Sequence, residues 1–98
     1  MQRETALTRL RRFEPDLRRQ GVSALYLFGS TARDEAREDS DLDLLFDVPA
    51  ATRFSLFDQA RIQNALTSAL HTKVDFLPLE GLRPRQQQRI EAELVRVF

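Results

Sequence analysis

The sequence predicts a small domain of the α/β or α+β class, in which helices cover a sheet of short strands. Segments with the apolar spacing of amphipathic helices alternate with short apolar or alternating segments that are typical of strands. The 98 residues are within the usual size of one domain, and no repeat, low-complexity tract or change in composition divides them. We therefore expect residues 1–98 to form a single domain.

The composition argues against several kinds of function. Fifteen basic and fifteen acidic side chains cancel, so no net field draws the chain to nucleic acid or to an anionic membrane. The absence of cysteine and the single histidine exclude disulfides, thiolate zinc sites and histidine-based metal sites. The N-terminus lacks a signal-peptide core, and no apolar run approaches the roughly 18 residues of a membrane span. We expect a cytoplasmic protein whose metal, if any, binds oxygen.

The N-terminal third predicts two helical segments around one strand. Pro15 breaks or restarts the first helix, and Gly21 suits its C-terminal cap. Residues 22–28 form an apolar run too short for a typical helix, which favours a buried strand. The segment from Ser30 to Ala36 opens with a Ser-Thr pair able to cap a short helix. The apolar residues of the first helix recur at steps of three and four: Ala6, Leu7, Leu10, Phe13 and Leu17.

Residues 41–48 predict a strand with one acidic face. Strict alternation places Asp41, Asp43 and Asp47 on one side. The apolar residues on the other side are Leu42, Leu44, Phe46 and Val48.

The remaining segments show either the helical spacing of three and four residues or the apolar and polar alternation of a strand. A helix of about 15 residues is predicted from near Phe54, and it should cover the sheet. Residues 73–77 predict a third strand, halted by Pro78. Pro84 to Glu93 predicts a last polar helix, and the tail from residue 94 to 98 predicts a short edge strand. The stripe expected on the long helix is Ile62, Ala65, Leu66, Ala69 and Leu70.

The acidic strand indicates a cation site. The strand rise holds Asp41 and Asp43 about 6.6 Å apart on one face. Like charges repel, and a shared cation would remove that penalty. Hard oxygen ligands select Mg²⁺ or Mn²⁺, and Mg²⁺ in proteins is usually completed by substrate phosphates and water. The pattern therefore points to a nucleoside triphosphate as substrate.

Two further features point to the same ligand. Gly29-Ser30 stands between a strand and a helix start, where a glycine permits close backbone approach and free amides attract phosphate. Asp75 alternates with Val74 and Phe76, and it is a candidate for activating an attacking hydroxyl. Each feature alone also fits an ordinary turn, a solvated acidic face or an edge-strand charge. Their joint occurrence in this order favours the site.

Several charged or aromatic residues allow two interpretations. Arg33 fits a phosphate contact or a structural ion pair. The arginines of the first helix fit an anionic partner or a solvated face. Phe54, Leu56 and Phe57 fall out of phase with the helical stripe, so they fit partner contacts or core packing. Lys73 and His71 receive no role.

The run from Gly29 to Phe46, GSTARDEAREDSDLDLLF, resembles the signature of the minimal nucleotidyltransferase (MNT) group of the DNA polymerase beta superfamily. The resemblance extends over nearly the whole chain. It implies an α+β fold with a small mixed sheet covered by helices. It also implies Asp41 and Asp43 as metal ligands, Asp75 as the third catalytic carboxylate, and Gly29 and Ser30 as triphosphate-binding residues. One departure is Asp34, where family members often carry glycine.

The resemblance also implies a reaction and a partner. Stand-alone MNT proteins are similar to antitoxins paired with HEPN-domain ribonuclease toxins, and some add AMP from ATP to a tyrosine of the partner. We therefore expect an Mg²⁺-dependent enzyme that forms a hetero-oligomer with such a toxin. Two other functions stay open, namely neutralisation by binding alone and nucleotidylation of a small molecule such as an aminoglycoside.

Overall fold

The computed structural model describes residues 1–81, 88 and 93–98. The strands form one sheet in the order β3-β2-β1-β4. The helices are α1 (Arg3–Arg11), α2 (Glu14–Arg19), α3 (Gly29–Ala32) and α4 (Leu56–Leu70). The strands are β1 (Ala24–Phe28), β2 (Leu42–Asp47), β3 (Val74–Pro78) and β4 (Val95–Arg96), and a 3-10 turn follows β3 at Leu79–Gly81.

The sheet is mixed and has two unlike faces. β1 pairs antiparallel with β2 and β4, whereas β2 pairs parallel with β3. Because side chains alternate along a strand, one face is apolar and packs in the core, and the other carries Asp43, Asp47 and Asp75. The α+β class predicted from the sequence is confirmed. The buried side chains of the apolar face are Leu25, Leu27, Leu42, Leu44, Phe46, Val74 and Phe76.

The first predicted helix is two helices. α1 ends at Arg11, and α2 restarts at Glu14 with Pro15 in its first turn, where the missing N–H of proline costs nothing. Gly21, at φ 109°, ends α2, and the amide of Val22 donates to the carbonyl of Leu17. This bond is the Schellman pattern of a helix C-terminus. The chain then enters β1 two residues later than predicted.

The helix after Gly29 is shorter than predicted. It was expected over Ser30 to Ala36 and ends at Ala32, because Asp34 takes the left-handed conformation at φ 60°. The amide of Glu35 donates to the carbonyl of Ser30 at 2.8 Å, which closes the helix. Asp34 occupies the position where glycine is common in the family, and its carboxylate accepts a hydrogen bond from the amide of Arg3 at 3.0 Å. That bond satisfies a free donor at the N-terminus of α1.

α4 confirms the predicted length but buries a narrower stripe. It begins at Leu56 because Ser55 and Asp58 form a reciprocal capping box. Ile62, Leu66 and Leu70 are buried, whereas Ala65 and Ala69 are exposed, contrary to the prediction. A single helix packed along the edge of a narrow sheet buries one row of side chains only.

The apolar residues before and within the first turn of α4 differ in their burial. Phe54 packs against the core, with its ring centroid 5.2 Å from that of Phe46. Leu56 and Phe57 are 80% and 86% exposed. Two of the three side chains that fell out of phase with the helical stripe are therefore on the surface.

Side chains of α4 bind the outer edge of β3. The amide of Val74 donates to the hydroxyl of Thr67 at 3.1 Å, and the amide of Phe76 donates to Oε1 of Gln63 at 3.1 Å. The carbonyl of Phe76 accepts from Nε2 of Gln59 at 3.0 Å. These three side chains are four residues apart along α4, so they lie in one row facing the strand. They give partners to backbone groups that an edge strand otherwise leaves open.

Replacing Gln63 by alanine is expected to lower the free energy of unfolding by about 1 to 2 kcal/mol, because the amide of Phe76 loses its partner. Urea unfolding followed by circular dichroism measures the change. Asn64→Ala is the matched control, since Asn64 is exposed one residue away on the same helix and should leave the midpoint almost unchanged. Equal midpoints for the two variants would contradict this account.

The C-terminal tail returns to the sheet. β4 pairs with β1 through Tyr26 and Leu27, which confirms the predicted edge strand. Val97 and Phe98 are buried beside it. The helix predicted for Pro84 to Glu93 lies outside the described residues, apart from Gln88 and Glu93.

Candidate active site

The pairing of β2 with β3 brings two of the predicted carboxylates, Asp43 and Asp75, together at the end of the sheet where β1 ends. Asp43 is the pairing partner of Phe28, the last residue of β1, and it is also the pairing partner of Asp75 on β3. Because β2 and β3 run parallel, Asp43 and Asp75 are direct neighbours on the same face. Gly29 follows Phe28 at the same place.

The backbone of Gly29 lies directly against the carboxylate of Asp43. Residue 29 has φ 76°, a conformation that side chains with a Cβ rarely adopt. A Cβ placed there would lie 2.5 Å from Oδ2 of Asp43. Only glycine allows the strand-to-helix turn to approach the acidic group this closely.

The surroundings of Asp43 disfavour the ionised form of its carboxylate. Burial of the side chain raises the pKa of Asp43, and the charges of Asp75 and Asp41 raise it further. The nearby Arg33 guanidinium acts in the opposite direction and lowers the pKa of Asp43. A cation bound between these carboxylates would remove the repulsion that raises the pKa.

Asp41 lies immediately before β2, and its carboxylate faces Lys73. The Nζ of Lys73 is 3.7 Å from Oδ2 of Asp41. Within residues 1–81, 88 and 93–98, no group of three or more His, Cys, Asp and Glu side chains is arranged to hold a metal ion. The metal-binding role predicted for Asp41, Asp43 and Asp75 therefore stays a prediction.

The donor set nevertheless suits a hard divalent cation. Asp43 and Asp75 are pairing partners on adjacent strands, and Asp41 lies two residues from Asp43. Mg²⁺ usually takes one or two protein carboxylates and completes its shell with water and substrate phosphates. A ready-made cage of three protein ligands is not required for such an ion. Asp43 and Asp75, with Asp41 beside them, are the carboxylates that could hold it.

Ser30 and Arg33 are the other predicted binding residues. Ser30 is half-buried in the first turn of α3, whose N-terminus no side chain caps. Arg33 forms ion pairs with Glu35 at 3.2 Å and Glu93 at 3.6 Å. Arg33 therefore forms ion pairs, which was one of its two predicted roles. Its charge also lowers the pKa of Asp43.

Lys73 is the residue near this cluster that the sequence pattern alone did not identify. The parallel pairing of β2 with β3 places Leu42 beside Val74, and so the preceding residues Asp41 and Lys73 are also neighbours. The local sequence pattern does not contain this register, so it could not place Lys73 beside Asp41. His71 ends α4 in the left-handed conformation at φ 53° and takes no part in the cluster.

The arginines of the first two helices are used in different ways. Arg18 and Arg19 pair with Glu14 and Asp16, and Arg11 donates to the carbonyl of Val97. Two adjoining surface grooves of about 420 and 290 Å³, both lined by Arg9 and Arg12, lie away from the carboxylates. Arg18 and Arg19 are therefore neutralised by acids of their own helix, whereas Arg9 and Arg12 line the two grooves.

Residues 10–97 match the protein family described as nucleotidyltransferase domain. The chain belongs to this nucleotidyltransferase family. The match spans every residue of the candidate site, so the enzyme class predicted from the sequence is confirmed.

Curated relatives of this nucleotidyltransferase domain carry names that describe one activity. A Methanocaldococcus jannaschii protein named as a proposed protein adenylyltransferase is 36% identical over 88 residues, which are 90% of this chain and 92% of the relative. The protein adenylyltransferase MntA of Thermococcus cleftensis is 32% identical over 82 residues, covering 81% of this chain and 78% of the relative.

Solved structures of other proteins have the same fold as this chain. One described as a proposed minimal nucleotidyltransferase has a TM-score of 0.82 and 38% identity, and the alignment covers 97% of this chain and 95% of that chain. A Shewanella oneidensis complex of a tri-AMPylated HEPN toxin with its MNT antitoxin has a TM-score of 0.69 at 18% identity, covering 98% and 71%. The resemblance of this nucleotidyltransferase domain to the MNT group is confirmed.

No helix in the described part of the nucleotidyltransferase domain is long and apolar enough to cross a bilayer.

Proposed function

We propose that this chain is an Mg²⁺-dependent protein adenylyltransferase that transfers AMP from ATP to a tyrosine hydroxyl of a HEPN-type toxin. The observation that carries the proposal is the contact between the Asp43–Asp75 pair and Gly29 at one end of the sheet. This arrangement gathers negative charge that a bound cation would relieve, next to the glycine at the start of α3.

Each predicted site residue has a role in the proposal. Asp41, Asp43 and Asp75 would hold Mg²⁺ or Mn²⁺, which would supply Lewis-acid stabilisation of charge on the phosphates. Gly29 and Ser30 would bind the triphosphate through backbone amides and the serine hydroxyl.

Arg33 carries the third predicted nucleotide contact. To reach a phosphate oxygen, its guanidinium would give up one of its two carboxylate partners, Glu35 or Glu93. A bidentate guanidinium–phosphate contact is strong enough to compensate for an exposed ion pair.

The reaction is a displacement at the α-phosphorus. The acceptor oxygen forms a bond to that phosphorus, the bond to the bridging oxygen of the β-phosphate breaks, and pyrophosphate leaves with the electron pair. Asp75, the pairing partner of Asp43 on β3, would take the proton of the acceptor hydroxyl. The products are pyrophosphate and an AMP ester of the acceptor.

The choice of a protein acceptor rests on relatives and on the surface of the chain. Curated relatives are named protein adenylyltransferases, and fold neighbours are complexes of an MNT antitoxin with a HEPN toxin, one of them AMPylated. Another fold neighbour is a toxin-antitoxin complex with AMP-PNP. Leu56 and Phe57 offer an exposed apolar contact for such a partner, in a hetero-oligomer within the cytoplasm.

Incubation with Mg²⁺, ATP and the protein encoded by the adjacent reading frame tests the proposal. We expect the partner to gain one or more AMP groups by intact mass spectrometry, and peptide mapping should place them on tyrosine. The variant that combines Asp41→Asn with Asp43→Asn is the control and should leave the partner mass unchanged.

Two outcomes of this experiment lead to other functions. An unmodified partner that is still inhibited, with the double variant equally protective in cells, would indicate neutralisation by binding alone. Modification of small hydroxyl compounds but not of the partner would indicate a small-molecule nucleotidyltransferase.

A further inference from the structure

Lys73 is a cation at the rim of the carboxylate cluster to which no role has been assigned. Its backbone is fixed by the sheet, because its carbonyl accepts a hydrogen bond from the amide of Leu42 at 2.8 Å. The parallel register places it beside Asp41, one residue before the start of β2. The side chain therefore starts from a rigid position directly next to the site.

The ammonium of Lys73 is held weakly. Its 3.7 Å separation from Asp41 Oδ2 is longer than a charge-assisted hydrogen bond, which usually spans about 2.7 to 2.9 Å. The Lys73 side chain is 71% exposed. An exposed pair of this kind contributes little to stability, so the ammonium can change partners at small cost.

Among the described residues, the other cation that acts on the cluster, Arg33, already has two carboxylate partners. Arg33 pairs with both Glu35 and Glu93, whereas the ion pair of Lys73 with Asp41 is its one ion pair among the described residues. An incoming triphosphate adds several negative charges to a site that already holds three carboxylates. A cation bound by Asp43 and Asp75 offsets part of this charge, and a further positive group is needed at the rim.

We propose that Lys73 is a nucleotide-binding residue, which leaves Asp41 for an oxygen of the β- or γ-phosphate when the nucleoside triphosphate enters. The exchange releases the Asp41 carboxylate at the moment when the site takes up its cation. This inference rests on the proposed function, since it takes a nucleoside triphosphate to be the substrate.

Equilibrium binding of a non-hydrolysable ATP analogue in the presence of Mg²⁺ tests the role of Lys73. Isothermal titration should give a Kd for Lys73→Gln about tenfold above that of the wild type, while Lys73→Arg should recover most of the affinity. Arg53→Gln is the matched control, because it also removes one exposed cation. Arg53 lies in the loop whose Thr52 borders Gly21, at the opposite end of β1 from Gly29.

Titration with AMP distinguishes a contact of Lys73 with the β- or γ-phosphate from a general effect of the substitution on nucleotide binding. AMP lacks the β- and γ-phosphates, so Lys73→Gln should bind AMP as the wild type does. An equal loss for AMP and the triphosphate, or equal Kd values for Lys73→Gln and Arg53→Gln, would overturn the assignment of Lys73. A wild-type chain that binds no triphosphate would instead reject the proposed function together with this inference.

Discussion

Replacement of Asp43 by asparagine is expected to reduce the rate of AMP transfer by about a thousandfold, as the loss of several kcal/mol of charge stabilisation at the phosphate implies. Asp43 is the central carboxylate of the cluster, since it pairs with Asp75 on one side and borders Gly29 on the other. Asparagine keeps the shape of the side chain but lacks the negative charge that a divalent cation requires. Steady-state formation of modified partner, or of pyrophosphate, measures the effect.

The same substitution should leave the fold intact, which separates a catalytic effect from unfolding. The pKa of Asp43 is raised in the folded protein, so the folded state binds its proton more tightly than the unfolded state does. The contribution of Asp43 to stability is thus fully present below the ordinary aspartate pKa and is lost as the pH rises through the raised pKa. At neutral pH the asparagine variant should be at least as stable as the wild type.

Urea unfolding at a series of pH values, without added metal, tests this pH dependence of stability. Between the ordinary aspartate range and neutrality, the stability of the wild type should fall relative to that of Asp43→Asn. Addition of Mg²⁺ should stabilise the wild type and not the variant. A variant that is inactive and also strongly destabilised at neutral pH would contradict the assignment of Asp43 as a ligand whose ionised form is disfavoured in the folded protein.

The substitution Gly29→Ala should have the second-largest effect, with a loss of activity of about a hundredfold or more and a loss of stability of about 1 to 2 kcal/mol. The stability cost comes from a positive φ that alanine adopts poorly. The activity cost has a separate cause, because the added Cβ would lie 2.5 Å from Oδ2 of Asp43 and must displace that carboxylate. Displacement of a reacting group by about 1 Å is enough for a loss of this size.

Gly21→Ala provides the matched control for Gly29→Ala. Gly21 also has a positive φ, and a Cβ there would meet Thr52 Cγ2 at 2.9 Å, far from the carboxylates along β1. It should lower the unfolding midpoint to a similar extent, yet the activity per folded molecule should equal that of the wild type. If both variants lose activity in proportion to stability alone, Gly29 has no specific part in the site.

The local periodicities of the chain predicted most of the fold and the neighbouring positions of Asp43, Asp75 and Gly29. Alternation along residues 41–48 and 73–77 placed Asp43 and Asp75 on polar faces, and the structure brings these two into contact. Gly29 was predicted to allow close approach, and the carboxylate it approaches is that of Asp43. These predictions succeeded because strand alternation is a property of a few neighbouring residues.

The features that were missed depend on contacts between distant segments. The Lys73–Asp41 pair requires the parallel register of β2 and β3, which no short pattern contains. The early end of α3 depends on the left-handed conformation of Asp34, which a hydrogen bond from Arg3, 31 residues away, supports. The exposure of Ala65 and Ala69 follows from how α4 lies on the sheet, and helical spacing alone does not fix that orientation.

The row of Thr67, Gln63 and Gln59 along β3 has a consequence for how this protein can meet a partner. Pro78 has no N–H, and the amides of Val74 and Phe76 are already bound, so an incoming strand finds no free donor on this edge. A partner at this edge must therefore be recognised through side chains rather than by extension of the sheet. Side-chain surfaces can diverge one substitution at a time, so related pairs can acquire separate specificities while the catalytic backbone stays the same.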